Sequence, residues 1–149
     1  MPDDLSELYQ QVILDHSRKP RHFHVLPGAK RTAEGNNPLC GDHYTVYLKV
    51  EGDVIQDIGF QGAGCAISKA SASMMADELK GKTIADARQC FGRYQIMVTT
   101  GKADEEAMGK LCAFAGVYHF PMRVKCAILP WHALLAALDG EKIVSTDAP

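Results

Sequence analysis

Three of the chain's five cysteines lie in sequence contexts that suit a metal ligand. Cys40 and Cys65 each adjoin a glycine, and glycine lets the backbone turn tightly enough to leave a thiolate approachable. Cys126 follows a short basic stretch, and Asp42, two residues after Cys40, would add a carboxylate oxygen to the three sulfurs. Three thiolates and one carboxylate in a tetrahedron suit Zn²⁺, and iron in a cluster is the competing occupant.

Each of these residues also has an ordinary structural interpretation. A free cysteine is commonly a small buried apolar residue, and Cys90 and Cys112, in apolar helical segments, fit that role best. Asp42 also suits a turn after Gly41. Spacing alone gives a moderate metal signal, because the intervals are long and no Cys-x-x-Cys pair is present. With an odd number of cysteines and a reducing cytosol expected, disulfides are the minor hypothesis.

Charged residues beside these positions are further candidates. Arg123 and Lys125 precede Cys126, where a positive charge attracts an anionic group of a partner or lowers the pKa of the thiol. Solvated surface charge is the equally simple alternative for both. The histidines do not adjoin a cysteine and are better explained as surface or core residues. His43, directly after Asp42, is the one to examine.

Composition indicates one globular domain. The 149 residues suffice to bury roughly 70% of the unfolded surface, so no disulfide is needed for stability. Lys and Arg number 16 against 18 Asp and Glu, and the basic residues are dispersed, which argues against nucleic acid as a partner. The N-terminus lacks a secretory pattern, and no run approaches the roughly 20 apolar residues of a membrane span. We therefore expect a cytoplasmic protein without membrane attachment.

The predicted strands place two of the cysteines together. Residues 43–50 alternate between apolar and polar and predict a half-buried strand, and residues 54–61 predict its partner after a glycine-containing turn. Cys40 precedes the first strand and Cys65 follows the second, so antiparallel pairing brings both to the open end of one hairpin. A further edge strand is expected near residues 29–33.

Helical patterns predict the elements that cover this sheet. An amphipathic helix runs from Leu5 until Pro20 stops it, and residues 66–79 predict a helix with Cys65 at its N-terminus, where the helix dipole lowers the pKa of a thiol. Further helices are predicted at residues 83–91, 104–117 and 127–138.

Two glycines and a proline set boundaries in this prediction. Gly92 is expected to end the helix that begins at residue 83, and the tail after Gly140 is expected to be loosely held. Pro130 fits the last helix only in its first turn, which would put Cys126 just ahead of that helix.

Three sequence blocks together resemble the signatures of the NifU/IscU scaffold family, and most closely its SufU branch. They are NNPLCGD at 36–42, GAGCAIS at 62–68 and RVKCA at 123–127. The first helix also resembles the family's opening helix, so the similarity extends from about residue 5 to residue 138. Lys125 stands where IscU proteins have a histidine ligand, and the Leu-Pro-Pro-Val-Lys motif is absent. Residues 95–115 resemble the insertion of SufU-type proteins.

The resemblance implies a fold and a metal site. The fold is α+β, a small antiparallel three-stranded sheet packed on one face by helices (SufE/NifU-like), in a single domain over residues 1–149. The metal is Zn²⁺, held by Cys40, Asp42, Cys65 and Cys126.

The resemblance also implies a function. SufU-like proteins are zinc-dependent sulfurtransferases, and by analogy Cys40 accepts persulfide sulfur from a SufS-type, PLP-dependent cysteine desulfurase for iron–sulfur cluster assembly. A SufB/SufC/SufD-type scaffold is the expected later partner. The alternative is a scaffold that binds iron or a nascent Fe–S cluster on the same cysteines. A purely structural zinc module ranks third.

Overall fold

The computed structural model describes residues 3–38, 41–140 and 143–145, with side chains for residues 9–38 and 41–140. Its strands are β1 (Arg31–Asn37), β2 (Asp42–Glu51), β3 (Val54–Ala63) and β4 (Ile143–Ser145). Its α-helices are α1 (Asp3–Arg18), α2 (Ala66–Leu79), α3 (Ile84–Thr100), α4 (Glu105–Met108) and α5 (Pro121–Asp139), and a 3₁₀ segment spans Gly109–His119.

The sheet has the order β3-β2-β1-β4, and its first three strands are antiparallel. Gly52, at a φ of 63°, closes the β2–β3 hairpin in a conformation that glycine adopts readily. The α+β fold and the three antiparallel strands are confirmed, although β1 lies slightly later than expected. β1 is also not the edge strand that was predicted, because β4 pairs along its other side. The short β4 pairs parallel to β1 and was not predicted, because three residues carry no usable periodicity.

Helices cover one face of the sheet. Val46, Leu48 and Phe60 point into the core and are fully buried, while alternate residues of β2 reach the other face. Gly35 of β1 lets α5 pack tightly on the strand, since a Cβ there would lie 3.1 Å from Leu129 Cδ1. The predicted packing on one face is therefore confirmed. No helix in the described part of the chain combines the length and hydropathy that crossing a bilayer requires.

Two helix boundaries differ from the prediction. The helix expected to end at Gly92 continues to Thr100, because burial of Tyr94 and Met97 outweighs the roughly 1 kcal/mol cost of a helical glycine. Gly101, at a φ of 82°, ends it instead. The helix expected over residues 104–117 is α-helical only over α4, and the chain then follows the 3₁₀ path from Gly109, whose φ is 53°.

The last helix begins earlier than predicted. Pro121 occupies the first turn of α5, and Pro130 lies inside the helix. The prediction that Cys126 lies just ahead of this helix is therefore wrong, because Cys126 lies within it. A proline inside a helix removes one backbone hydrogen bond, and here its neighbours Leu129 and Trp131 are fully buried, which offsets that loss.

A buried polar network joins α2, α3 and α5. The indole Nε1 of Trp131 donates to Ser71 Oγ at 3.1 Å, and the Tyr94 hydroxyl donates to the carbonyl oxygen of Ala127 at 2.9 Å. Ser71 Oγ also donates to that carbonyl and lies 3.0 Å from the Tyr94 hydroxyl. The rings of Tyr94 and Trp131 stack at 4.4 Å between centroids. Every side-chain polar group of this network is satisfied.

A candidate metal centre of two cysteines and an aspartate

Three side chains from separate elements converge at one end of the sheet. Asp42 is the first residue of β2, Cys65 immediately precedes α2, and Cys126 lies in the second turn of α5. One carboxylate oxygen and the two sulfurs all lie within 4.8 Å of one another. Residues 43 to 125, which separate the first donor from the last in the sequence, include most of the fold. Only the tertiary structure therefore brings these donors together.

Two glycines at the end of β3, one within the strand and one just after it, let the chain approach the site closely. Gly62 has a φ of 143°, and a Cβ on it would overlap the carbonyl oxygen of His43 in the neighbouring strand. A Cβ on Gly64 would lie 2.8 Å from Asp42 Oδ1 and 2.7 Å from the Tyr44 hydroxyl. Only glycine therefore fits at these positions without displacing the carboxylate or the strand.

Hydrogen bonds fix the carboxylate and the exposed thiol relative to each other. The backbone N–H of Cys65 donates to Asp42 Oδ1 at 3.1 Å, and Cys65 Sγ lies 3.8 Å from Asp42 Oδ2. Ser68 Oγ is 3.8 Å from the same sulfur and 2.9 Å from the Tyr44 hydroxyl. Sequence reasoning did not single out Ser68 and Tyr44. The position of Ser68, three residues after Cys65 at a helix start, was the available signal.

The cluster concentrates negative charge in a half-buried place. Asp42 is 3% exposed and Cys126 is 4% exposed, whereas Cys65 faces solvent. A hydrogen bond from Cys126 is the main cause that lowers the pKa of the Cys65 thiol to about 6. Burial acts in the opposite direction and raises this pKa, but its effect is smaller. The same bond, with burial and the nearby Asp42, raises the pKa of Cys126. The Cys65 thiol therefore loses its proton more readily than the Cys126 thiol.

This donor set fits a single zinc ion. Tetrahedral Zn²⁺ with ligand bonds of about 2.0–2.3 Å keeps its donor atoms roughly 3.5–3.8 Å apart. Cys65 Sγ and Asp42 Oδ2 are 3.8 Å apart, and the remaining separations stay within 4.8 Å. A cation would also neutralise the charges that the three side chains bring together.

Comparison with known proteins identifies the family. A model of the NifU-like N-terminal domain matches residues 8–127. The chain belongs to the NifU-like N-terminal domain family. The resemblance inferred from the three cysteine blocks is therefore confirmed.

Relatives of this NifU-like chain carry two different descriptions. The chain is 42% identical over 140 residues to the zinc-dependent sulfurtransferase SufU of Bacillus subtilis, covering 93% of this chain and 95% of the relative. It is 39% identical over 135 residues to the iron–sulfur cluster assembly scaffold protein IscU of Streptococcus pyogenes, covering 90% and 84%. The chain is thus a member of the SufU/IscU family of iron–sulfur cluster assembly proteins.

A solved structure of similar sequence has the same fold. The crystal structure of a protein from Fervidobacterium islandicum, described as an iron–sulfur cluster assembly scaffold for the SUF system, superposes with a TM-score of 0.82 at 37% identity. The match covers 89% of this chain and 97% of that one. The NifU-like fold inferred from the sequence therefore holds along most of the chain.

The structure brings together three of the four predicted ligands of this NifU-like protein. Asp42, Cys65 and Cys126 form the cluster, while Cys40 lies outside the described residues. Cys126 reaches the site from within a helix and not from the loop ahead of it. The packing of α5 against the sheet therefore brings Cys126 to the other two donors.

The three accessory candidates lie at different places. His43 is exposed and, by strand alternation, its side chain leaves β2 on the face opposite Asp42. The exposed Arg123 stacks its guanidinium over the ring of Phe120 at 4.5 Å, in the first turn of α5. Lys125 is partly buried beside the cluster cysteine.

The two remaining cysteines fit the packing role. Cys112 is 1% exposed within the core, and Cys90 is partly buried against it. Burial raises the pKa of both thiols, that of Cys90 to about 11. Such thiols stay protonated at neutral pH, so neither is a good ligand or nucleophile there.

Proposed function

We propose that this protein is a zinc-dependent sulfurtransferase, which accepts persulfide sulfur from a SufS-type, PLP-dependent cysteine desulfurase and passes it to iron–sulfur cluster assembly. The observation that carries the proposal is the cluster of Asp42, Cys65 and Cys126, whose donor atoms are spaced for one ion. The similarity to a zinc-dependent sulfurtransferase over 93% of the chain supports it.

Four residues would hold the zinc: Cys40, Asp42, Cys65 and Cys126. Cys40 is two residues before Asp42 in the sequence, close enough to supply the fourth ligand. Bound zinc keeps thiols deprotonated at neutral pH. The protein's own contribution is to hold Asp42 in place through the Cys65 N–H and to supply two sulfurs of unequal exposure.

Cys40 is the proposed sulfur acceptor. Its thiolate attacks the terminal sulfur of the desulfurase persulfide, the sulfur–sulfur bond of that persulfide breaks, and the desulfurase cysteine leaves as a thiolate. The products are a Cys40 persulfide and the resting desulfurase. The exchange needs no external oxidant or reductant, because the sulfane sulfur keeps its oxidation state.

The proposal also implies a later partner and a site of action in the cell. A SufB/SufC/SufD-type scaffold would receive the sulfur, and the site of action would be the cytoplasm. Arg123, exposed in the first turn of α5, would meet an anionic group of a partner that docks at the cluster. Residues 95–115, from the end of α3 into the 3₁₀ segment, are the SufU-type insertion in this proposal.

A scaffold for nascent clusters is the second candidate, supported by the scaffold relative at 39% identity. A cluster of two or four irons spreads its cysteine ligands over several metal atoms. Donor atoms within 4.8 Å of one another suit a single ion better. The geometry therefore favours the sulfurtransferase.

Metal analysis and a desulfurase assay test the proposal. The purified protein should contain about one zinc per chain, as four ligands form one site, and should strongly increase cysteine desulfurase turnover. Cys40→Ser should abolish that increase, because its hydroxyl is a poor nucleophile toward a persulfide. The matched control, Cys90→Ser, should stimulate like the wild type, since Cys90 packs against the core away from the cluster.

Two results would contradict this proposal. Normal stimulation by Cys40→Ser would exclude Cys40 as the acceptor. If the protein instead takes up a stable cluster from ferrous iron and sulfide and donates it to an apoprotein, without stimulating the desulfurase, the scaffold function is correct.

A further inference from the structure

Asn37 is a buried amide at the edge of the cluster, and it has no hydrogen-bond partner among the residues that the structure describes. It is the last residue of β1 and 0% exposed. Neither its Oδ1 nor its Nδ2 finds a partner within the described part of the chain. Buried side-chain amides are nearly always hydrogen-bonded, because leaving one unpaired costs the full desolvation of the group. This amide therefore needs a functional explanation.

The strand register places Asn37 beside Asp42. The two residues are direct partners in the β1–β2 ladder. Partners in an antiparallel pair project from the same face with Cβ atoms roughly 4.5–5.5 Å apart. Both side chains are buried on the helix-covered face, so the amide adjoins the carboxylate without bonding to it.

The packing of α5 along β1 places Asn37 near Cys126. At one end of the pairing, Arg31 donates to the carbonyl oxygen of Leu138, and further along Gly35 packs against Leu129. The helix and strand thus run in opposite directions. Two residues beyond Gly35 on the strand, and about one turn before Leu129 on the helix, Asn37 meets the part of α5 that carries Cys126.

We infer that Asn37 is a positioning residue, whose Nδ2–H donates a hydrogen bond to the sulfur of Cys126 when zinc occupies the site. The inference rests on the metal site of the proposed function. As a ligand, Cys126 would be a thiolate, and the residue is only 4% exposed to water. A buried donor on the neighbouring strand supplies the stabilisation that water would give an exposed ligand.

Two substitutions at this position separate the donor from the volume. Asn37→Leu keeps a similar size without a donor, and Asn37→Asp keeps the shape but adds a negative charge beside the thiolates. Zinc affinity in a chelator competition should fall about 10-fold to 100-fold for Asn37→Leu. It should fall less for Asn37→Asp, because the added carboxylate attracts the cation although the hydrogen-bond donor is lost. The matched control is Asn36→Leu, since Asn36 is partly exposed on the opposite face of β1, and its affinity should equal the wild type.

Two further measurements separate this role from simple structural support. In the Co²⁺-substituted protein, loss of the hydrogen bond should shift the sulfur-to-cobalt charge-transfer band of Asn37→Leu to lower energy, because the thiolate becomes more electron-rich. Without metal, the melting temperature of Asn37→Leu should be equal to or above that of the wild type, since an unpaired buried amide has been removed.

The outcomes distinguish this inference from the proposed function. If the wild type binds zinc and Asn37→Leu binds it equally well, with an unshifted cobalt band, the positioning role is wrong and the proposed function stands. A metal-free melting temperature well below that of the wild type would make Asn37 a structural residue and overturn the inference. A wild type that retains no zinc would overturn both.

Discussion

Two polar centres lie one helical turn or less apart on the same pair of helices. Ser68 of α2 contacts the metal-site thiol, and Ser71, three residues on, belongs to the buried network with Tyr94 and Trp131. On α5, Cys126 belongs to the cluster, and the next residue, Ala127, provides the carbonyl that anchors the network. The cluster and the network are built on the same two helices, so their different properties come from their side chains.

The two centres differ in whether their polar groups are satisfied. In the network, hydroxyls, indole N–H and carbonyl pair with one another, which is how buried polar groups stabilise a unique core. In the cluster, two thiols and a carboxylate crowd together and the amide of Asn37 has no described partner. The first centre is complete within the fold, whereas in the proposed function a metal ion completes the second.

Loss of a cluster cysteine should produce the largest effect. Cys126→Ala should lower zinc affinity by more than about 100-fold, the upper range for outer-sphere partners, because a direct ligand is lost. Cys112→Ala is the control: it removes a core thiol, should cost roughly 1 kcal/mol of stability and should keep the zinc. Metal analysis after dialysis measures both. Full zinc content in Cys126→Ala would remove this cysteine from the site.

Zinc itself should stabilise the fold through the cluster. At a free concentration about 100 times its dissociation constant, Zn²⁺ should raise the free energy of unfolding by about 2.7 kcal/mol, because it binds the folded state. Asp42→Ala should lose most of that gain, since one ligand is missing. Denaturant unfolding with and without zinc measures the difference. An equal gain in both proteins would show that zinc binds elsewhere.

A change in the satisfied network should affect stability alone. Ser71→Ala leaves the Trp131 indole N–H without its acceptor and should lower the free energy of unfolding by about 1–3 kcal/mol. Zinc affinity should stay at the wild-type value. Thr99→Ala, at an exposed helical position with only local hydrogen bonds, should change little. A loss of zinc in Ser71→Ala would mean that the two centres are coupled.

The sequence predicted well the parts of the molecule that local patterns determine. The alternation in β2 and β3 gave their pairing, and the bounds predicted for α2, residues 66–79, are those observed. The three cysteine contexts identified two members of the cluster, and the proximity of Asp42 to Cys40 suggested the third.

The remaining features depend on packing that no local pattern encodes. α5 begins with Pro121 and includes Cys126, whose side chain reaches Asp42 and Cys65 only where the helix packs against the sheet. Ser71 and Tyr94 meet only when three helices are in place. The burial of Asn37 likewise follows from the approach of α5 to Gly35, so the sequence alone shows an ordinary polar residue before a proline.

The position of the transferred sulfur decides whether Cys40 is the acceptor. The zinc-loaded protein is incubated with a cysteine desulfurase and cysteine, exposed thiols and persulfides are trapped by alkylation, and peptides are mapped by mass spectrometry. We expect one added sulfur atom on Cys40, and none on Cys90 or Cys112. No sulfur on Cys40, with desulfurase turnover unchanged by the protein, would contradict it.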